Sequence, residues 1–536
     1  MMPPKNIFVM EKSLSCPAVW SPDLGDGTYR NPILYADYSD PDVVRSGDDY
    51  WMISSSFSHV PGLPVLHSRD LVNWTLVTHA LPRLVPEENF RTPQHGKGVW
   101  APSIRHHAGK FWIYYPDPDF GIYLLTATDA RGPWSAPHLV KSGKGLIDPC
   151  PLWDDDGRVF LIHGWAKSRA GINNVLTLLR LSADGLHVAE DLGVIINGNH
   201  VDSPGFRTLE GPKLYRRNGW YYVFAPAGGV AEGWQSVFRS RKISGPYEHR
   251  IVLGQGATPV NGPHQGALVD TDAGEWWFFH FQDKGAYGRI VHLQPVRWEN
   301  DWPLMGTAVE NGTAKGEPVL VHRKPALPLQ RSAAPGTSDE FDSPVLGLQW
   351  QWQANPQASW YSLSAAPGSL RLFGQARPDN NLYHAPNLLL QKFAGEEFCV
   401  TTVMSFNAEK KGDKAGLIVF GYDYAWIGLR HDGTTRLAVG VVKNANVNPD
   451  IVETVIGKDI GPSVHLRVEV RAGGRCRFAY SGDGENFLPV GDEFKASVGH
   501  WVGAKFGLFA SSPNGAHADF DWVRVEPPLE TGSTAL

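Results

Sequence analysis

Cysteine, charge and long apolar runs are what this chain has least of. Four cysteines in 536 residues, Cys16, Cys150, Cys399 and Cys476, are widely scattered. Their spacing matches neither a metal-ligand pair nor a disulfide knot, so zinc modules and disulfide scaffolds are excluded as organising principles. Free thiols are expected, as suits a reducing compartment. Only 19% of residues are charged, and 49 basic against 55 acidic residues leave a net charge of −6. Without a basic stripe, nucleic acid is not expected as a partner. No window is long and apolar enough to span a membrane, so no membrane partner is expected either. The N-terminal MMPPKNIFVMEKSLS lacks the apolar run of a signal peptide. As written, the protein reads as cytoplasmic; it would be secreted if a leader has been removed.

What the chain does have is 57 glycines, 41 prolines and 20 tryptophans. Glycine and proline at that level punctuate the turns of all-β folds. Tryptophan is ordinarily core, but exposed indoles also form flat platforms on which sugar rings lie. A hydrophobic content of 42% marks a folded protein, and the length calls for at least two domains.

Five segments share one grammar, a polar turn followed by a densely aromatic strand. They are Asp49-Tyr50-Trp51-Met52-Ile53, Gly109 to Tyr115, Gly157 to Ile162, Gly219 to Phe224 and Gly274 to Phe279. Anchored at residues 49, 109, 157, 219 and 274, they recur at steps of 60, 48, 62 and 55 residues. Each is preceded by a short apolar segment, and several are followed by a further strand and turn. Groups of about four short strands repeated five times predict a five-bladed β-propeller; an irregular β-sandwich is the alternative. A Pro/Ala/Ser-rich linker is expected over 324–338, after a propeller over 31–323 and an irregular lead-in over 1–30. From 339 to 536, alternation such as Leu466-Val468-Val470 against Arg467-Glu469-Arg471 predicts a two-sheet sandwich with one wet face. The expected fold class is therefore all-β, a five-bladed β-propeller followed by a C-terminal β-sandwich.

Three acids stand just before the first strand of three different repeats: Asp40 before Pro41, Asp148 before Pro149, and Glu210 before Gly211-Pro212. Singly, each would read as a turn or cap residue. In one register they would converge at the propeller axis. Converging carboxylates suit glycoside hydrolysis, in which one ionised group activates water and one protonated group serves the leaving oxygen. Asp154-Asp155-Asp156-Gly157, by contrast, is assigned to a solvated hairpin tip.

The segments SDPDVVR (39–45), PGLPVLHSRDLVNW (61–74), GVWAPSIR (98–105), LIDPCPLWDDDG (146–157), TLEGPKLY (208–215) and GPHQGAL (262–268) together resemble glycoside hydrolase family 43. The resemblance points to its β-xylosidase and α-L-arabinofuranosidase branch and covers about residues 30 to 320. The C-terminal region, opening DEFDSPVLGLQWQW and closing DFDWVRVE, is similar to the concanavalin-like sandwich that accompanies many members. The resemblance implies Asp40 as general base, Glu210 as general acid, and Asp148 as the residue that tunes and orients the acid. Arg289 matches an arginine that steadies the carboxylates and a sugar hydroxyl, and Trp100 and Phe57 would wall the sugar subsite. His264 matches a histidine that faces calcium near the axis, often through water. Apart from the resemblance, Asp339, Glu340 and Asp342 read first as solvated acids at the start of the sandwich; meeting Asp519 or Asp521, they would alternatively supply hard oxygen ligands for a second calcium. No cofactor is expected to be required for the chemistry.

The expected activity is inverting, exo-acting hydrolysis of terminal β-D-xylose, α-L-arabinofuranose or both, from xylo-oligosaccharides and arabinoxylan fragments. A carbohydrate-binding propeller without turnover is the alternative from another class. A fructosidase-like retaining hydrolase would need Asn-Asp-Pro-Asn and Glu-Cys, where this chain has Ser39-Asp40-Pro41-Asp42 and Glu210-Gly211.

Overall fold

A computed structural model describes residues 18–528 apart from 202–204, 311–313, 329, 377–378, 461–462 and 514, and the backbone alone at 457–459. Cys16 and most of the expected lead-in fall outside the described residues.

Five four-stranded antiparallel sheets follow one another in chain order, each in simple meander. Their first strands are Asp42–Ser46, Ser103–His107, Leu146–Trp153, Lys213–Arg217 and Leu268–Asp270. The aromatic second strands are Asp49–Ile53, Lys110–Asp117, Val159–Trp165, Trp220–Ala227 and Trp276–Asp283. Buried on both faces between neighbouring blades, these second strands read as continuous apolar runs rather than alternations. One expectation needs correcting: the lead-in is not irregular throughout. Thr28–Arg30 is a strand paired with Val321–Arg323, which ties the entry of the propeller to its exit.

Residues lying beside the acids explain why the blades meet so closely. Asp42 accepts from the Ile104 N–H and the Arg105 guanidinium, both at 2.8 Å. The Lys213 ammonium lies 3.5 Å from Asp42 and donates to the Pro102 carbonyl and Ser103 Oγ. Arg105 also reaches Cys150 Sγ, which accepts the Leu214 N–H as well. First strands of blades 1 to 4 are thus stitched together just beneath the places where Asp40, Asp148 and Glu210 stand. Buried ions are tolerated only when paired in this way.

Asp154 departs from its expected place in solvent. Its carboxylate is buried and accepts from Arg216 and from the Tyr221 hydroxyl, so it fastens blade 3 to blade 4. Asp155 and Asp156 are exposed.

The C-terminal region forms two seven-stranded sheets. Leu466, Val468 and Val470 point into the core between them, and the intervening Arg467 and Glu469 do not. That core extends into the propeller, because Tyr35, Tyr287 and Ile290 belong to the same apolar cluster. Backbone pairing between Val60 and Trp352 and side-chain bonds from Asn355 to Leu84 add polar stitches. Cys150, Cys399 and Cys476 are buried free thiols. No helix among the described residues is long and apolar enough to cross a membrane.

Candidate active site

One pocket gathers Asp40, Asp148 and Glu210 with Phe57, Trp100, Ala101, Ile147, Val230, Gln265, Arg289 and Trp501. Left-handed backbone recurs in it: Asp40 has φ 54°, Phe57 50°, Asp148 56°, Gln265 41° and Trp501 65°. Such conformations cost of order 1 kcal/mol or more for residues with a Cβ, and concentrate where function fixes side-chain direction. For Asp148 the kink coincides with a register shift between Ile147 and Cys150, which turns the carboxyl out of the ladder. Gly211 has φ +59°, and a Cβ there would lie 2.7 Å from the Gln265 side chain. Only glycine lets the chain after Glu210 pass so close to the neighbouring blade.

The three acids occupy unlike settings. Asp40 is buried and saturated with donors: Ser39 Oγ at 2.7 Å, the Ser55 hydroxyl, and Arg289 Nη1 at 3.2 and 3.3 Å. Arg289 is itself fixed by its bond to Ser39 Oγ at 2.9 Å and by its ring contact with Phe281. Asp37 accepts the Arg289 N–H at 3.0 Å, which sets the start of that strand.

Asp148 accepts the Gly211 N–H at 2.7 Å. Burial first, and then the charge of Glu210, push its carboxyl well above the ordinary range; the Gly211 bond pulls the other way. Glu210 has 28% of its side chain exposed to the pocket, so a ligand can reach it. Loss of solvation raises it to about 7, with Asp40 adding to the rise and Arg289 opposing it. No hydrogen bond reaches the Glu210 carboxyl among the described residues. Two carboxyls raised together hold a proton near neutrality that isolated acids would have lost.

His264 is fully buried, its Nε2 3.7 Å from Glu210, and neither ring nitrogen has a partner. Burial pushes the ring down to about 3, so the imidazole is neutral. Calcium needs six to eight oxygen ligands. No group of three or more His, Cys, Asp or Glu that could hold a metal occurs among the described residues. Side chains alone therefore form no calcium cage at His264, where the expected contact runs through water, and the chemistry is derived without one. The acids of the alternative second seat are engaged elsewhere. Asp519 is bound by Arg371, Glu340 by Arg524, and Asp339 by backbone N–H groups and the Trp350 indole, so these acids are already paired and do not converge.

Sequence reasoning missed Ala101, Ile147, Val230, Gln265 and, most consequentially, Trp501. It comes from the sandwich, is 44% exposed, and meets Trp100 edge-on at 6.0 Å between ring centroids. Its loop is anchored by the Gly503 N–H on Asp37, the acid that also holds Arg289. Phe57 and Trp100 continue the aromatic wall, 6.3 Å apart. Aromatic walls, a donor-bound carboxyl and a proton-retaining acid in one pocket can hold a sugar ring and act on its glycosidic bond.

This combination of funnel, acid trio and capping sandwich defines a glycoside hydrolase. Residues 29–303 match glycosyl hydrolases family 43, and residues 338–526 match the β-xylosidase C-terminal concanavalin A-like domain. The chain belongs to family 43. A Xylanibacter ruminicola relative, provisionally named a β-xylosidase, is 40% identical over 91% of this chain and 87% of its own. The Bacteroides ovatus protein named non-reducing end α-L-arabinofuranosidase is 29% identical over 93% and 95%. Among solved structures, the xylan β-1,4-xylosidase of Bacillus halodurans superposes with a TM-score of 0.81 at 27% identity, covering 93% and 99%.

Proposed function

We propose that this protein is an inverting exo-glycosidase that removes single β-D-xylose or α-L-arabinofuranose units from the non-reducing ends of xylo- and arabino-oligosaccharides. The observation that carries the reading is the pocket itself. Asp40, oriented by Arg289 and two hydroxyls, lies in it with the unbonded, proton-retaining Glu210.

In this mechanism Asp40 takes a proton from water as the water attacks the anomeric carbon. Glu210 gives its proton to the departing glycosidic oxygen. Asp148 takes the role of keeping that proton on Glu210. Burial and the neighbouring Glu210 charge hold Asp148 well above the ordinary range against the pull of the Gly211 N–H, so the two carboxyls titrate together and retain a proton near neutrality. Arg289 keeps the base oriented and is placed to bond a sugar hydroxyl. Phe57, Trp100 and Trp501 wall the ring, and a pocket bounded by both the propeller and the sandwich suits a chain terminus. Inversion needs room for the water, so the carboxyls of Asp40 and Glu210 should stand about 6.5–9.5 Å apart in a sugar complex.

Release of p-nitrophenol from aryl β-xyloside and aryl α-L-arabinofuranoside tests the reading. Turnover of at least one, abolished in Asp40→Ala, is expected. Sugar binding without turnover of either would reduce the protein to a binding module.

A further inference from the structure

Lys392 and Lys505 lie directly opposite each other on neighbouring antiparallel strands of the sandwich, so their side chains leave the same face of the sheet. That face meets the propeller: the Lys392 ammonium sits 5.3 Å from the ring centre of Tyr38. Lys505 is only 2% exposed. Like charges directly opposed in a ladder repel, and a buried ammonium needs a counter-charge. Neither lysine has an ion-pair partner among the described residues. Asp37 is the acid whose charge reaches both, but it makes no ion-pair contact with either, and one carboxylate faces two ammonium groups.

The surroundings offer donors and no further anion. His59 and His79 feel the lysine charges, and burial first keeps both rings neutral. Gln391 Nε2 and His79 Nδ1 are buried without partners and line the same crevice as Lys392. Burial and then Lys392 push Lys505 down to about 7, against the pull of Asp37.

We propose that a small inorganic anion occupies this seam, held by the ammonium groups of Lys392 and Lys505, and clamps the sandwich onto the propeller. Lys505 begins the strand two residues after Gly503, so the anion would also steady the loop that carries Trp501 into the pocket.

The test is thermal unfolding of the full chain at fixed ionic strength, with gluconate replaced stepwise by chloride or, separately, by phosphate. A saturable rise of several degrees in wild type, lost in Lys505→Met and in Lys392→Gln, supports the site. The salt that produces it tells halide from oxyanion. Should Lys505→Met fail to fold, the half-buried Lys392→Gln carries the comparison alone. Absence of a saturable rise with either salt overturns the proposal, because water would then suffice. A rise that persists unchanged in the variants overturns it too, because it would report salt acting on the whole surface.

Discussion

Glu210→Gln should destroy activity and stabilise the protein, with a stabilisation that depends on pH. The folded protein holds the Glu210 proton to about 7, whereas the unfolded chain releases it near 4.5. Below about pH 4.5 both states are protonated, and burying the carboxyl carries no charge penalty. Between 4.5 and 7 the folded state binds more protons, so wild-type stability falls as pH rises. Above 7 the folded state carries the charge and the penalty is complete. A shift of roughly 2.5 units corresponds to about 3 kcal/mol at 1.36 kcal/mol per unit. Glutamine is neutral throughout and escapes it. Removing the Glu210 charge also relieves Asp148, which adds in the same direction. Denaturant unfolding of both proteins at pH 4.5 and pH 8 is the assay. Near-equal stability at pH 4.5 and a gain approaching about 3 kcal/mol for the variant at pH 8 is the expected pattern. A difference that is the same at both pH values would refute the placement of an ionisable, desolvated acid at Glu210.

In wild type, kcat/KM on an unactivated xylobiose-type substrate should decline as pH rises through about 7, where Glu210 loses its proton; a pH–rate profile checks this. Glu210→Ala should lose roughly 10²–10⁴-fold on that substrate and far less on p-nitrophenyl glycosides, whose leaving group needs little protonation. Trp501→Ala should weaken kcat/KM about tenfold with little change in unfolding temperature, because the ring is half exposed and stands on the pocket wall. Asp154→Ala should cost about 1–3 kcal/mol of stability by orphaning the buried Tyr221 hydroxyl and leaving Arg216 to Asp155 alone, while kcat stays unchanged.

The propeller was legible because its signal is local and repeated: each blade announces itself by a turn and an aromatic strand. The equivalence of Asp40, Asp148 and Glu210 followed from that repeat. Asp154 was misplaced because three acids before a glycine have the composition of a solvated turn. The partners that bury its side chain, Arg216 and Tyr221, lie more than sixty residues on, in the next blade. Trp501 was hidden for a similar reason. Strand periodicity in the sandwich says nothing about which of its loops reaches the propeller; the one available hint was a tryptophan between glycines in SVGHWVG. The donors around Asp40 came partly from residues next to it in sequence, and partly from Ser55 and Arg289, which only the closed ring of blades brings near.

The stereochemistry of the first product tests the roles of Asp40 and Glu210 most directly. Proton NMR during hydrolysis of a β-xyloside or an α-L-arabinofuranoside, followed before mutarotation, reads it in one experiment. Inversion predicts that α-xylose, or β-arabinofuranose, appears first. Initial release of the sugar with its anomeric configuration retained would contradict the assignment of Asp40 as a base acting through water.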